Sequence, residues 1–192
     1  MGIVKKIFAV VLISILSTLI AAIYGALNDQ ITYSISPEYY TKFKFQQFNI
    51  ASQENVGKLK NLRLFVAFVG VLATWWVGLF FGFILGLVAL IYNNWKNMIK
   101  VSIKSILIAI ATTFTSGILG LIYGKIYLAN QHISKFESWY IPKNLVDFKN
   151  FISVGSMHNF SYIGGVFGLI FGIIYLIRRK RNYQPSIIEN QP

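Results

Sequence analysis

Residues 62–92 read LRLFVAFVGVLATWWVGLFFGFILGLVALIY, with Arg63 as the one charged side chain. About 20 helical residues cross a hydrocarbon core of roughly 30 Å, and an apolar run of eighteen or more reads as a bilayer span. Three further runs stand on either side of it. Ile7 to Leu27 follows Lys5 and Lys6, Ile106 to Leu128 lies downstream, and Tyr162 to Ile177 stops at Arg178-Arg179-Lys180-Arg181, which cannot enter hydrocarbon cheaply. The expected architecture is an all-α, four-transmembrane-helix bundle in a single membrane domain over residues 1–192. Its helices are expected at about 5–27, 62–93, 104–128 and 156–178, with outer loops 28–61 and 129–155 and a disordered tail 182–192.

Composition agrees. Hydrophobic residues make up 55% of the 192 and charged residues only 12%, half the share usual in soluble domains. The first run is longer than the core of a cleavable signal, and its exit, Ala22-Ile23-Tyr24-Gly25-Ala26, is a poor small-x-small match, so an uncleaved helix is expected. There is no cysteine, which excludes disulfides and thiolate chemistry. His132 and His158 are too few for an all-protein zinc site. Neither a metal nor a cofactor is expected.

The formal net charge of +12 is assigned to topology, not to nucleic acid. Lys5, Lys6, Lys96, Lys100, Lys104 and the Arg178–Arg181 cluster are concentrated in short segments on one side. Lys42, Lys44, Lys58, Lys60, Arg63, Lys135, Lys143 and Lys149 are spread over two longer loops on the other. The denser side is assigned to the cytoplasm, with both termini there. The second run is longer than a bilayer requires, so its helix is tilted or its first turns stand above the membrane, in which case Trp75 and Trp76 mark the interface; residues 52–60 are read as an outward extension of that helix. In the loops, alternation at Ile31, Tyr33 and Ile35 suggests a hairpin around Ser36-Pro37-Glu38. Ser134-Lys135-Phe136-Glu137 fits a capping box, and Pro142 is placed to open a short helix carrying Leu145, Phe148 and Ile152.

The halves resemble each other. Ile23-Tyr24-Gly25 closes the first helix and Ile122-Tyr123-Gly124 the third. Gly78, Gly82 and Gly86 in the second helix match Gly164, Gly168 and Gly172 in the fourth. This reads as two same-orientation helix-loop-helix repeats. Together with Gly120 and Gly124, these glycines are expected to pack helices closely, since lipid supplies no hydrophobic drive. Thr112, Thr113, Thr115 and Ser116 are expected to act as interhelical glue.

No carboxylate interrupts a span on this reading. Asp29 is placed just above the first helix, with Asn28, Gln30 and Thr32 beside it and Glu38 and Tyr39 further along. His158, Asn159, Ser161 and Tyr162 open the fourth helix. These ten residues form the candidate polar site. In it Asp29 and His158 would face each other across the bundle mouth, as a general base or a ligand anchor.

Two stretches carry a resemblance. Tyr24-Gly25, Asp29-Gln30-Ile31-Thr32 and Glu38-Tyr39-Tyr40-Thr41 are one. His158-Asn159-Phe160-Ser161-Tyr162, followed by Gly164-Gly165, is the other. The chain resembles an uncharacterised bacterial family of small multi-span membrane proteins with a YG…DQIT…EY[FY]T motif after the first helix and HNxSYxGG before the last. The resemblance implies a bacterial inner-membrane protein and no activity. The expected function is binding of a partner or small ligand at the outer face. The alternatives are a small transporter or channel subunit, and a membrane enzyme using Asp29, Glu38 and His158. The expected partners are the lipid bilayer and, in a homo-oligomer, further copies of the chain.

Overall fold

The computed structural model describes residues 2–183. Among these residues there is no strand. Four helices are long and apolar enough to cross a membrane: α1 (Ile3–Ile35), α2 (Leu62–Val88), α3 (Trp95–Ile126) and α4 (Phe148–Tyr183). The chain is a multi-pass, all-α membrane protein. Its two long connections lie at one end, called here the loop end. The described ends of the chain and the short α2–α3 link lie at the other, the terminal end.

The helices run further than hydropathy alone suggested. At 33 residues, α1 is about 50 Å long, and it ends where Pro37 forces Ser36 out of helical geometry (φ −139°, ψ 89°). Pro37 then opens a lid helix, not a hairpin. The lid is Pro37–Tyr39, a π turn over Tyr40–Lys44, and Phe45–Gln47. Asn49, at φ 54°, closes it, with Ile50 N–H bonded to the Phe45 carbonyl. Residues 52–60 do not extend α2. They form turns around a 3₁₀ segment at Val56–Lys58. Trp75 and Trp76 stand halfway along α2 and are exposed.

In α3 the helix starts at Trp95, not near 104, because the Asn94 side chain accepts a hydrogen bond from Lys96 N–H. In α4 the start is Phe148, not 156 and not Pro142. The Asp147 carboxylate caps the first turn by accepting from Asn150 N–H at 3.0 Å. No capping box forms at Ser134. His132 takes that role, its ring accepting from Ser134 N–H ahead of a 3₁₀ turn over Ile133–Phe136. Residues 182–183 continue α4, and the rest of the predicted tail lies outside the described residues.

α1 packs along α2 and α3 along α4, as two antiparallel pairs. The pairs are built alike near the loop end. A Cβ on Gly70 would come within 2.3 Å of the Gly25 carbonyl oxygen, and one on Gly124 would meet the Ser153 backbone at 2.7 Å and the Ser156 side chain at 3.0 Å. Thr74 sits beside Ala21, where Phe160 sits beside Gly120. Toward the terminal end the registers part by about one turn: Gly82 meets Ser17 and Ser14, whereas Gly168 meets Ala109. Gly78 and Gly86 also face α1, and Gly164 and Gly172 face α3. Of the four hydroxyl residues expected to act as interhelical glue, Ser116 crosses to the Phe160 carbonyl at 2.8 Å. Thr112 and Thr113 bond back to their own helix.

Two hydrophobic cores result. The terminal-end core is largely aliphatic, around Ile13, Leu85, Met98 and Leu176. The loop-end core is aromatic, around Tyr39, Tyr40, Phe45, Phe136 and Phe151. The lid and the second loop close over the bundle there.

Candidate functional site

The loop-end core contains a buried polar cluster. Because α1 does not stop at Leu27, Asp29 is not an exposed cap. It lies inside the helix, two turns before its end, and only 4% of its surface is exposed. On either side of it, Leu27 and Ile31 continue the exposed apolar stripe of α1. Tyr24, Asn28 and Thr32 share the inward face with Asp29, being spaced by four residues.

The π turn brings the lid's polar groups inward. Buried positions in the lid are Tyr39 and Tyr40, then Lys44 and Phe45, a spacing of five that matches i→i+5 winding. An α-helical turn would bring only one member of each pair inward. The Tyr40 hydroxyl is bonded to Thr32 Oγ1 and lies beside the Asp29 carboxylate. Burial pushes the Tyr40 hydroxyl well above its usual range, and Asp29 pushes it further. The Lys44 ammonium donates to Gln47 Oε1 at 2.9 Å. It stands 5.8, 5.3 and 5.7 Å from the ring centres of Tyr39, Phe43 and Phe48. Burial lowers its pKa from the usual 10.5, and the charge of Asp29 opposes that shift.

From α4, His158 stacks face to face on Tyr39, with centroids 5.1 Å apart and planes 9° from parallel. Ser161, one turn on, lies beside the Tyr24 hydroxyl. Tyr39 thus joins the two sequence stretches: it carries His158 on its face and feels the Asp29 charge. No ion pair joins Asp29 to His158 directly. The expected direct carboxylate–imidazole pair does not form, and Tyr39 is the side chain that interacts with both groups.

Neither a protein-family model, nor a curated protein, nor a solved structure matches the chain.

The polar groups of this cluster are incompletely satisfied. Among the described residues, six buried side-chain atoms have no hydrogen-bond partner. Apart from Ser102 Oγ, all are at the loop end: Tyr24 OH, Asn28 Oδ1, Ser36 Oγ, His158 Nε2 and Ser161 Oγ. Buried polar atoms in native proteins are nearly always paired. Four of these atoms belong to the facing stretches of α1 and α4; the Tyr24 and Ser161 hydroxyls lie beside each other and can pair, which leaves Asn28 Oδ1 and His158 Nε2.

The other candidate residues lie elsewhere. Gln30 faces Arg63 of α2, donating to its carbonyl at 2.8 Å and accepting from its guanidinium at 3.2 Å. Asn159 is exposed, and Tyr162 stands at the rim with its ring tilted against His158. Glu38 is a clamp and takes no part in the cluster. Its carboxylate accepts from the N–H groups of Val146 and Asp147 and pairs with Lys42, which in turn donates to the Asn144 carbonyl. Partial burial would raise the Glu38 pKa, but Lys42 and the two amides outweigh it and hold the carboxyl below its usual 4.5. Tyr24, Tyr40 and Lys44 are the members the sequence reading did not include. Tyr24 precedes Asn28 by one helical turn, a signal that was present. Lys44 could not be found that way, because an α-helical wheel does not anticipate a π turn.

Proposed function

We propose that the chain is a bacterial inner-membrane protein with both termini in the cytoplasm, and that its extracytoplasmic loop end holds a small polar ligand in the Asp29–His158 cluster. The observation that carries the reading is the pair of buried, unpartnered atoms Asn28 Oδ1 and His158 Nε2, on the same facing stretches of α1 and α4 as the neighbouring Tyr24 and Ser161 hydroxyls. Leaving each one unsatisfied costs about 1–3 kcal/mol, and a guest with both donors and acceptors would recover that cost. Because Asp29 and His158 connect through Tyr39 and not directly, the arrangement favours holding a ligand over passing a proton between them. Orientation is supported by cation density: with Lys125 in the last turn of α3 each end carries nine Lys and Arg, but those of the terminal end are concentrated in short segments and those of the loop end are spread over two long connections. The nine cations of the terminal end have no acid beside them among the described residues. The resemblance of Tyr24–Thr41 and His158–Gly165 to a bacterial membrane family supports the location.

Two experiments test the proposal. Reporter fusions after residues 55, 98 and 145 should read outside, inside and outside; an outside signal at 98 overturns the orientation. The full chain, extracted in mild detergent and weighed under non-denaturing conditions, should carry a small adduct that Asn28→Leu and Ser161→Ala lose. A bare wild-type mass, with Ser161→Ala more heat-stable than wild type, would mean the unpaired atoms are only a cost, and would sink the ligand reading.

A further inference from the structure

The terminal end has a different surface. Phe171, Ile174, Tyr175, Arg178 and Arg179 line one open groove of about 440 Å³ along α4. Phe171 and Ile174 are exposed there. Arg178 lies seven residues further on, about 10 Å along the helix axis. The groove therefore passes from an apolar wall to two guanidinium groups over the depth at which a phospholipid passes from chain to headgroup.

The two arginines are distinguished from their neighbours by what those neighbours do. Lys6 donates to the Leu90 carbonyl at 3.0 Å, and Lys180 lies over the Tyr92 ring at 5.7 Å. Both are engaged within the chain. Every acid among the described residues is at the loop end, and the salt bridge found there is Lys42–Glu38. Three of the four arginines in the whole chain, Arg178, Arg179 and Arg181, fall in this one cluster. Arginine binds phosphate through a planar fork and sheds water more readily than lysine. A cation pair with no carboxylate partner, at the end of an apolar groove in a membrane helix, is electrostatically matched to an anionic headgroup.

We propose that this groove is a binding site for one acidic phospholipid, with its phosphate on Arg178 and Arg179 and the upper part of an acyl chain against Phe171, Ile174 and Tyr175. The site is independent of the loop-end cluster and of any ligand there. A neutral, zwitterionic lipid would place its ammonium beside the same guanidinium groups, so the site should discriminate by net charge.

The test uses the full chain in detergent, titrated with phosphatidylglycerol or phosphatidylcholine of equal chain length and read by non-denaturing mass spectrometry. Wild type should bind one phosphatidylglycerol in preference to phosphatidylcholine. In R178Q/R179Q that affinity should fall about thirtyfold, from about 1 kcal/mol per basic residue. K96Q/K100Q removes the same charge from the same end and should change it less than about threefold. Equal losses in the two variants would mean a diffuse field and not a site, and equal binding of the two lipids by wild type would overturn the proposal outright. R178K/R179K keeps the charge and removes the fork, so it should fall between wild type and the glutamine variant; full wild-type affinity there would refute the arginine geometry. The wild-type lipid comparison stands even if a variant fails to fold.

Discussion

The two ends of the bundle solve opposite problems. At the terminal end the interior is largely aliphatic, and the charges point outward without acidic partners. At the loop end the interior is aromatic, and Asp29, Lys44 and His158 are buried within it. An aliphatic core places few demands on its neighbours. A core with buried ionisable groups is costly, because an uncompensated charge in low dielectric is strongly destabilising. The loop end therefore carries the lid, the π turn and the Glu38 clamp, and the terminal end manages with a six-residue link between α2 and α3. Polar groups kept at such a cost are where function is best sought.

The comparison is broken most severely at the helix contacts. At the loop end Gly25 and Gly70 meet backbone to backbone, and a Cβ on Gly70 would lie 2.3 Å from a carbonyl oxygen. At the terminal end a Cβ on Gly86 would meet the Val10 side chain at 3.1 Å. Gly70→Ala should cost roughly 3 kcal/mol, as overpacking against rigid backbone does. Gly86→Ala should be close to neutral, since about 1 kcal/mol of helix propensity offsets its milder crowding. Thermal unfolding in detergent, with Val166→Leu on the exposed face as control, checks both. Similar losses for the two glycine variants would erase the distinction between the ends.

The next effect concerns the buried charges. Asp29→Asn removes the carboxylate whose charge opposes the desolvation of Lys44, and Lys44→Met removes the other member. Each single change should destabilise by about 1–2 kcal/mol, and the double change by less than their sum, with a coupling of about 0.5 kcal/mol between two buried groups that form no direct ion pair. Additive losses in a double-mutant cycle would mean that the two charges are stabilised separately.

Smaller than that double change is the effect of the clamp. Glu38→Gln should loosen residues 143–147 at a cost of about 1–2 kcal/mol, read as faster amide exchange at Val146 and Asp147. The pH dependence has a definite sign. The folded pKa of Glu38 lies below its ordinary 4.5, so the clamp contributes fully above that pH. The contribution is lost as pH falls through the lower folded value. Protection of the Val146 amide, taken relative to the intrinsic exchange rate at each pH, should weaken on acidification in wild type and stay flat in Glu38→Gln. A clamp that loosens at alkaline pH would contradict the assignment.

Much of the bundle is legible in one dimension. Four apolar runs, their basic stops and the spaced glycines follow from the solvent, since a bilayer leaves a helix few alternatives. The loop end is not legible in the same way. Hydropathy stops counting at Asn28, yet α1 continues to Ile35, because the lid covers its polar face while Leu27 and Ile31 face outward. Asp147 and Asn94 moved two helix starts by capping, a local hydrogen bond that a hydropathy window averages away.

By itself the sequence determined the number of spans, the small-residue faces on which they pack and the residue types available for a polar site, because these depend on composition and on spacing along one helix. Only the tertiary structure decided that Asp29 is buried and not an interfacial cap, that Glu38 clamps a loop, and that Lys44 joins the cluster while Gln30 and Asn159 leave it. The physical reason is that burial and pairing belong to contacts between segments far apart in the chain. A π turn, a stacked His158–Tyr39 pair and a clamp across more than 100 residues leave no periodic trace in the order of the amino acids.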